Sequence, residues 1–289
     1  MGEVDLVALY WTVSGPVEVH FGREWSTFSW HDRCAEAKKV GFKGIGLWHA
    51  DIEHQLENTT LDEMKKVFDD SGLEFIQLEF LQDFFVPAGD PLRKESDERR
   101  KLLFDAAATF DAHHIKVGNI PGTPAALEQV TEGFAELCQD AANHTNAKVV
   151  YEFMPFDVNV RGLDSALTLA EGAAQPNGGL AIDTWHMAKL GIPPEDMKRI
   201  PREYLTWIEL SDGQYEDMED AIDEVVNHRK LPGEGEFNVA AYVDACIEAG
   251  YAGPWGVEVL SEELRNLPIE EEFKRAYETT AAQFRAGVA

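Results

Sequence analysis

Short apolar runs rich in strand-forming residues return at intervals along the whole chain. They read LVALYW (6–11), GIGLWH (44–49), FIQLEF (75–80), HIKVG (114–118), KVVYEF (148–153), GLAID (179–183), TWIEL (206–210) and WGVEVL (255–260). The stretches between them have helical period. After Thr60, the side chains of Leu61, Met64, Val67 and Phe68 fall on one face; Thr60 with Glu63 forms a capping box and Gly72 stops the helix. Rougher stripes pass through Phe104, Ala107, Ala108 and Phe110, through Phe134, Leu137, Cys138 and Ala141, through Leu163, Ala166, Leu167 and Ala170, and through Phe237, Ala241, Val243 and Ile247. Strands that alternate with helices specify a parallel sheet covered by helices. Eight such units in 289 residues fit a closed (β/α)8 TIM barrel of the α/β class better than an open doubly wound sheet, with residues 1–289 forming one domain.

Charge narrows the partners. The chain carries 53 acidic and 25 basic residues, a formal net charge of −28. A phosphate backbone is gripped by Lys and Arg, so no nucleic acid is expected as a partner, and an anionic membrane surface is disfavoured for the same reason. No apolar run approaches the roughly 18 residues needed to cross a bilayer. The N-terminal MGEVDLVALYW has neither a basic n-region nor a small-residue cleavage site, and Leu6 breaks the myristoylation pattern. Cys34, Cys138 and Cys246 are dispersed, which is neither a disulfide framework nor a zinc ribbon. A cytoplasmic location is the expectation, with homo-oligomerisation left open. Neither GxGxxG nor GxxxxGK[ST] follows the first strand, which removes the usual nucleotide-binding readings. The acidic stretch from Glu216 to Glu224 is expected to belong to a long loop after strand seven, as a solvated loop or helix face.

In a barrel of this kind the chemistry lies at the C-terminal ends of the strands. The polar residues expected there are His49 and Asp51 on strand two, Glu79 on strand three and Lys116 on strand four. Then come Glu152, Asp183 followed by His186, Glu209 with Asp212, and Glu258 on strands five to eight. Burying a carboxylate costs several kcal/mol unless a cation or hydrogen bonds compensate. Glu152, Asp183, Glu209 and Glu258 each sit within an apolar run, on four consecutive strands. Taken singly, each could pair with a nearby Lys or Arg. Taken together, they converge on one side of the barrel mouth and call for a divalent cation between them. Hard oxygen ligands suit Mn²⁺ or Mg²⁺, with Co²⁺ or Zn²⁺ also compatible.

The segments GIGLWHAD, VVYEFMPF, LAIDTWH, WIELSD, RKLPGEGEFN and AGYAGPWGVEVLSEE resemble the sugar phosphate isomerase/epimerase superfamily, the xylose-isomerase-like TIM barrel group. The PGEG turn and the GPWGVEV ending are the most specific of these. The resemblance spans nearly the whole chain and implies four metal ligands at the ends of strands five to eight, here Glu152, Asp183, Glu209 and Glu258. It also implies substrate contacts from His186, three residues after the Asp, and from Arg229, before the glycine-rich turn. One position departs from the family pattern. The third ligand usually reads H-x-x-D, whereas this chain reads Glu209-Leu210-Ser211-Asp212. Either Glu209 is a fourth carboxylate ligand, or it stays protonated or turns away and His186 or water completes the shell.

The family chemistry implied is removal of a proton next to a carbonyl, with Glu152 and Glu258 as the proton-transfer pair and an enediolate intermediate. The expected enzyme is therefore a metal-dependent isomerase or epimerase of a ketose, keto-sugar or inosose. Lys116, His49, His186 and Arg229 would hold hydroxyls, and Trp48 with Trp11 and Phe80 would form an apolar wall. The alternative is a lyase of the inosose- or dehydroshikimate-dehydratase kind, in which the same enediolate expels a hydroxyl. A non-catalytic sugar-binding barrel would bind metal without turnover. The endonuclease IV branch would need many more histidines at strand ends and a basic surface.

Overall fold

The computed structural model describes residues 4–19, 22–120 and 122–284. The N-terminal reading rests partly on residues 1–3, which lie outside this set. Eight parallel strands close into a barrel in chain order. They are β1 Leu6–Ala8, β2 Gly44–Trp48, β3 Phe75–Leu81, β4 His114–Gly118, β5 Lys148–Glu152, β6 Gly178–Asp183, β7 Leu205–Leu210 and β8 Trp255–Val257. Each of the seven gaps between strands carries at least one helix, and the helix Ile269–Ala281 follows β8 to close the outer ring. The (β/α)8 architecture is thus the one the alternation of patterns specifies. Among the described residues no helix is long and apolar enough to cross a membrane.

Strands β1 and β8 end sooner than their apolar runs. The reason is a side chain. The Thr12 hydroxyl donates to the Val257 carbonyl at 2.7 Å and accepts from the Val259 amide at 2.7 Å. It replaces the ladder where Tyr10–Thr12 turns into a single 3₁₀ turn. The inside of the barrel is filled by Val7, Leu9, Val150, Ala181 and Trp207. Gly256 makes room for the largest of them: a Cβ there would lie 2.8 Å from Leu9 Cδ1 and 2.9 Å from Trp207 Cζ2. A second apolar layer lies between the strands and the helices, where Phe42 meets Phe273 and Tyr277 edge to face.

The helix at Leu61–Ser71 has the expected ends, with the Thr60–Glu63 capping box closed and Gly72 left-handed at φ 75°. The helix Pro91–Phe110 buries three of the four residues of the expected stripe. Ala108 is exposed, while Leu103 and Ala106 are buried beside Phe104, Ala107 and Phe110. The acidic stretch after β7 is a solvated loop running into a helix, except at Glu224. Asp220 caps a helix, Ala221–Asn227, and Glu224 in its first turn is buried. Glu224 is ion-paired to Lys189 at 2.6 Å, which compensates the buried charge.

Asp212, just past β7, organises the segment that returns to the barrel mouth. Its carboxylate accepts from the amides of Gly213 at 2.8 Å, Phe237 at 2.9 Å and Gly233 at 3.0 Å. Its backbone pairs with Lys230, next to Arg229. Gly235 fits beneath it because a Cβ would come 2.3 Å from Asp212 Oδ1. Asp212→Asn turns an amide N–H₂ toward these donors, and leaving buried amides unpaired costs about 1–3 kcal/mol. The expected result is a loss of stability of that size in urea denaturation, with an unchanged m-value.

Candidate active site

The C-terminal strand ends bring together a cluster of buried charge. Glu79 (β3), Lys116 (β4), Glu152 (β5), Asp183 (β6), Glu209 (β7) and Glu258, one residue past β8, are each no more than 4% exposed. Carboxylate oxygens of Glu152, Asp183, Glu209 and Glu258 all lie within 4.8 Å of one another. The Lys116 ammonium stands among the glutamates. It donates to Glu258 Oε1 at 2.6 Å and to both oxygens of Glu209 at 3.0 Å. Glu79 lies 2.8 Å away and Glu152 3.4 Å away. The Glu79 approach is an ion pair without hydrogen-bond alignment, and both Glu79 oxygens are buried without a hydrogen bond. Ladder pairing sets up this contact, because Glu79 and Lys116 are register partners across β3 and β4.

The other members are fixed by the scaffold. Glu209 Oε1 accepts from the Trp207 indole at 2.9 Å. Asp183 Oδ1 accepts from the Trp185 amide at 2.7 Å and the Ser211 hydroxyl at 3.0 Å. Asp183 Oδ2 takes the Arg229 guanidinium at 2.7 Å. Arg229 also stacks over the Trp185 ring at 4.9 Å. His186 Nε2 approaches Glu152 Oε1 at 3.3 Å and Asp183 Oδ2 at 3.8 Å. The structure therefore places Lys116 inside the cluster and Arg229 and His186 at its edge, with all three lining one inner chamber.

That chamber measures about 50 Å³ and opens past Trp48, Phe80, Ile120 and Phe156 into an outer cavity of about 430 Å³. Trp48 packs on Trp11 at 4.7 Å and parallel to Phe80 at 6.4 Å. His49 lines the outer cavity. Burial, helped by the charge of Arg99, holds its pKa down at about 3. It is therefore neutral, and the Phe80 amide donates to its Nδ1 at 3.4 Å, which leaves Nε2 to carry the proton. Arg99 also lines the outer cavity. Sequence reasoning did not single it out, because nothing distinguishes one more Arg in the charged helix Pro91–Phe110.

The carboxylates differ in proton affinity for physical reasons. Burial pushes Glu258 up to about 8, with Lys116 opposing and the charges of Glu79 and Glu152 assisting. Burial and then the Glu258 charge raise Glu209 well above the ordinary carboxylate range. Burial also acts upward on Glu152, but Lys116 and then His186 overcome it and hold this carboxyl well below the ordinary range. For Lys116, burial favours loss of the proton, yet Glu152, Glu209, Glu258 and Glu79 outweigh it and keep the ammonium charged. Opposed shifts on paired carboxylates are a mark of acid–base sites, although structural ion-pair networks also produce them.

The donor set fits a divalent cation in kind. It consists of hard oxygens, and Glu152 Oε1 is buried without a hydrogen bond. Lys116 supplies a resident positive charge to three of the four carboxylates, Glu152, Glu209 and Glu258.

A model of the xylose isomerase-like TIM barrel family matches residues 34–282, and the chain belongs to that family. It is 25% identical over 234 residues to a 3-dehydroshikimate dehydratase of Pseudomonas aeruginosa, covering 79% of this chain but 36% of that enzyme. The chain thus spans about a third of that relative's length. It is 24% identical over 250 residues to an inosose isomerase of Halalkalibacterium halodurans, covering 84% of this chain and 87% of that one. Among solved structures, the IolI protein with a binding zinc atom superposes at TM-score 0.77 and 17% identity, covering 97% of this chain and 98% of that one. An L-ribulose 3-epimerase superposes at TM-score 0.73 and 14% identity, covering 97% and 94%. At these identities the structural likeness speaks for the fold. The relatives are a dehydratase and an isomerase, and the epimerase is a neighbour in fold.

The raised Glu258 carboxyl has a consequence for stability. Unfolded, this group titrates near 4.5; folded and without added metal, it keeps its proton up to about 8. Its contribution is complete below the unfolded value and is lost as pH rises through the folded one. In chelator, the melting temperature should fall across that window, and Glu258→Gln should flatten the fall. Parallel pH profiles for both proteins would remove Glu258 as its source.

Proposed function

We propose that this chain is an enolising enzyme of polyol ketones: an isomerase or epimerase of a ketose, keto-sugar or inosose. The observation that carries the reading is the convergence of Glu152 and Glu258, with Asp183 and Glu209, to within 4.8 Å of one another at a small inner chamber that Glu152 and Glu258 line. Glu152, Asp183, Glu209 and Glu258 would hold a divalent cation, Mn²⁺ or Mg²⁺ by their hard oxygens, whose chemistry when bound is polarisation of the substrate carbonyl.

The chain's own residues account for the proton movements. The Glu152 carboxylate removes a proton from the carbon next to the ketone. The C–H electrons form a C=C bond as the ketone oxygen takes up negative charge, giving an enediolate. The Glu258 carboxyl then returns a proton to carbon. Delivery to the same carbon from the other face inverts it; delivery to the former carbonyl carbon, with a proton passed between the two oxygens, isomerises the ketone. Lys116 balances charge between these states, and the neutral His49 offers an Nε2 proton to a hydroxyl in the outer cavity. The aromatic wall of Trp48 and Phe80 suits the apolar face of a sugar or cyclitol ring.

The likeness to a 3-dehydroshikimate dehydratase supports a second reading. There, Glu258 would protonate a β-hydroxyl as its C–O bond breaks. Both readings share the first step, so solvent exchange tests it before a product is identified. With Mn²⁺ present, the wild type should incorporate deuterium from D₂O at carbon in some member of a panel of ketoses, inososes and 3-dehydroshikimate. Glu152→Gln and Glu258→Gln should each slow that exchange by about 10²–10⁴-fold. No exchange with any panel member would sink the proposal; water elimination in place of epimer formation would select the second reading.

Glu209 has its own test. Imidazole is a softer ligand than carboxylate, so Glu209→His should raise the preference for Zn²⁺ over Mg²⁺ in a competition titration. An unchanged preference would mean that Glu209 does not touch the ion.

A further inference from the structure

Among the described residues, Lys116 is the only Lys or Arg within ion-pair distance of four carboxylates at once. Three of the four, Glu152, Glu209 and Glu258, belong to the group that could hold a metal ion. The fourth, Glu79, does not. An ammonium has three donors and no acceptor, and it is a compact charge that can stand among the oxygens a divalent ion would use. Two cations cannot share one cage of this size without strong repulsion. Glu79 offers the alternative partner. It is buried, both its oxygens lack hydrogen bonds, it already lies 2.8 Å from the ammonium, and it sits opposite Lys116 in the β-ladder. Rotation within the lysine side chain can therefore trade Glu209 and Glu258 for Glu79 without moving a strand.

We infer that Lys116 is a tethered competitor of the divalent cation, holding Glu209 and Glu258 when no ion is bound and withdrawing onto Glu79 when one enters. The inference rests on the reading of the four carboxylates as a cation site and is independent of which substrate is turned over. It gives the barrel two charge-compensated states in place of one.

The test is isothermal titration of Mn²⁺ into wild-type protein, Lys116→Met and Glu79→Gln, with circular dichroism to establish folding and a crystal structure of the Mn²⁺-loaded wild type. Lys116→Met should bind Mn²⁺ at least about 10-fold more tightly, because no competitor has to leave; that factor corresponds to about 1.4 kcal/mol. Glu79→Gln should bind more weakly than wild type, because Lys116 loses the charge it withdraws to. The loaded crystal should show the ammonium on Glu79 and away from Glu209 and Glu258. Equal or weaker binding in Lys116→Met overturns the inference and leaves the cation site standing. So does an ammonium that stays between Glu209 and Glu258 with the ion bound. If Lys116→Met fails to fold, Glu79→Gln decides alone, and binding as tight as wild type overturns the inference. No Mn²⁺ binding by any of the three proteins overturns the cation site itself.

Discussion

Five carboxylates leave water together at the mouth of this barrel, and they can do so because Lys116 and Arg229 are buried with them. Each desolvated charge costs several kcal/mol even after the protein relaxes, and only close, well-aligned opposite charge offsets it. The strands deliver that alignment. Lys116 comes from β4 and faces acids on β3, β5 and β7 and just past β8, so one side chain ties together four parts of the rim. Removing it would leave several like charges within a few ångströms of one another, a situation resolved by protonation, by an entering cation, or by separation of the strand ends.

The neighbours beyond this lysine explain why chemically similar carboxylates behave differently. Glu152 has both the ammonium and His186 beside it and is kept ionised; Glu258 has the ammonium but also the charges of Glu79 and Glu152, and keeps its proton. Roles that look interchangeable in a sequence are therefore separated by which neighbours each side chain meets.

Much of this was legible in the residues. The eightfold alternation specifies the closed barrel, and the four acids in apolar runs do converge at the ends of β5 to β8. Each acid could be read either as a salt-bridge partner or as a cation ligand, and in the structure the same four carboxylates that converge are also the ones ion-paired to Lys116 or Arg229. What stayed hidden is pairwise. FIQLEF and HIKVG each display a charged residue in an apolar strand, but only the ladder register sets Glu79 against Lys116. Helix faces were read less well than strands, as Ala108 illustrates, because an Ala-rich segment such as DAAATF offers several stripes of nearly equal weight. The burial of Glu224 depends on Lys189, thirty-five residues earlier, and no local pattern reports it.

Trp207 belongs to two worlds at once. Its ring is part of the packing inside the barrel with Val7, Leu9, Val150 and Ala181, and its indole N–H holds Glu209 two residues further on. Close-packed interiors transmit small displacements rather than absorbing them. A change of volume at Val150 or Ala181, two residues before Glu152 and Asp183 on their strands, is therefore felt at the Glu209 carboxylate. Foundation and workplace share a single beam in this barrel, so substitutions that repack the interior for greater stability also retune the chemistry above it.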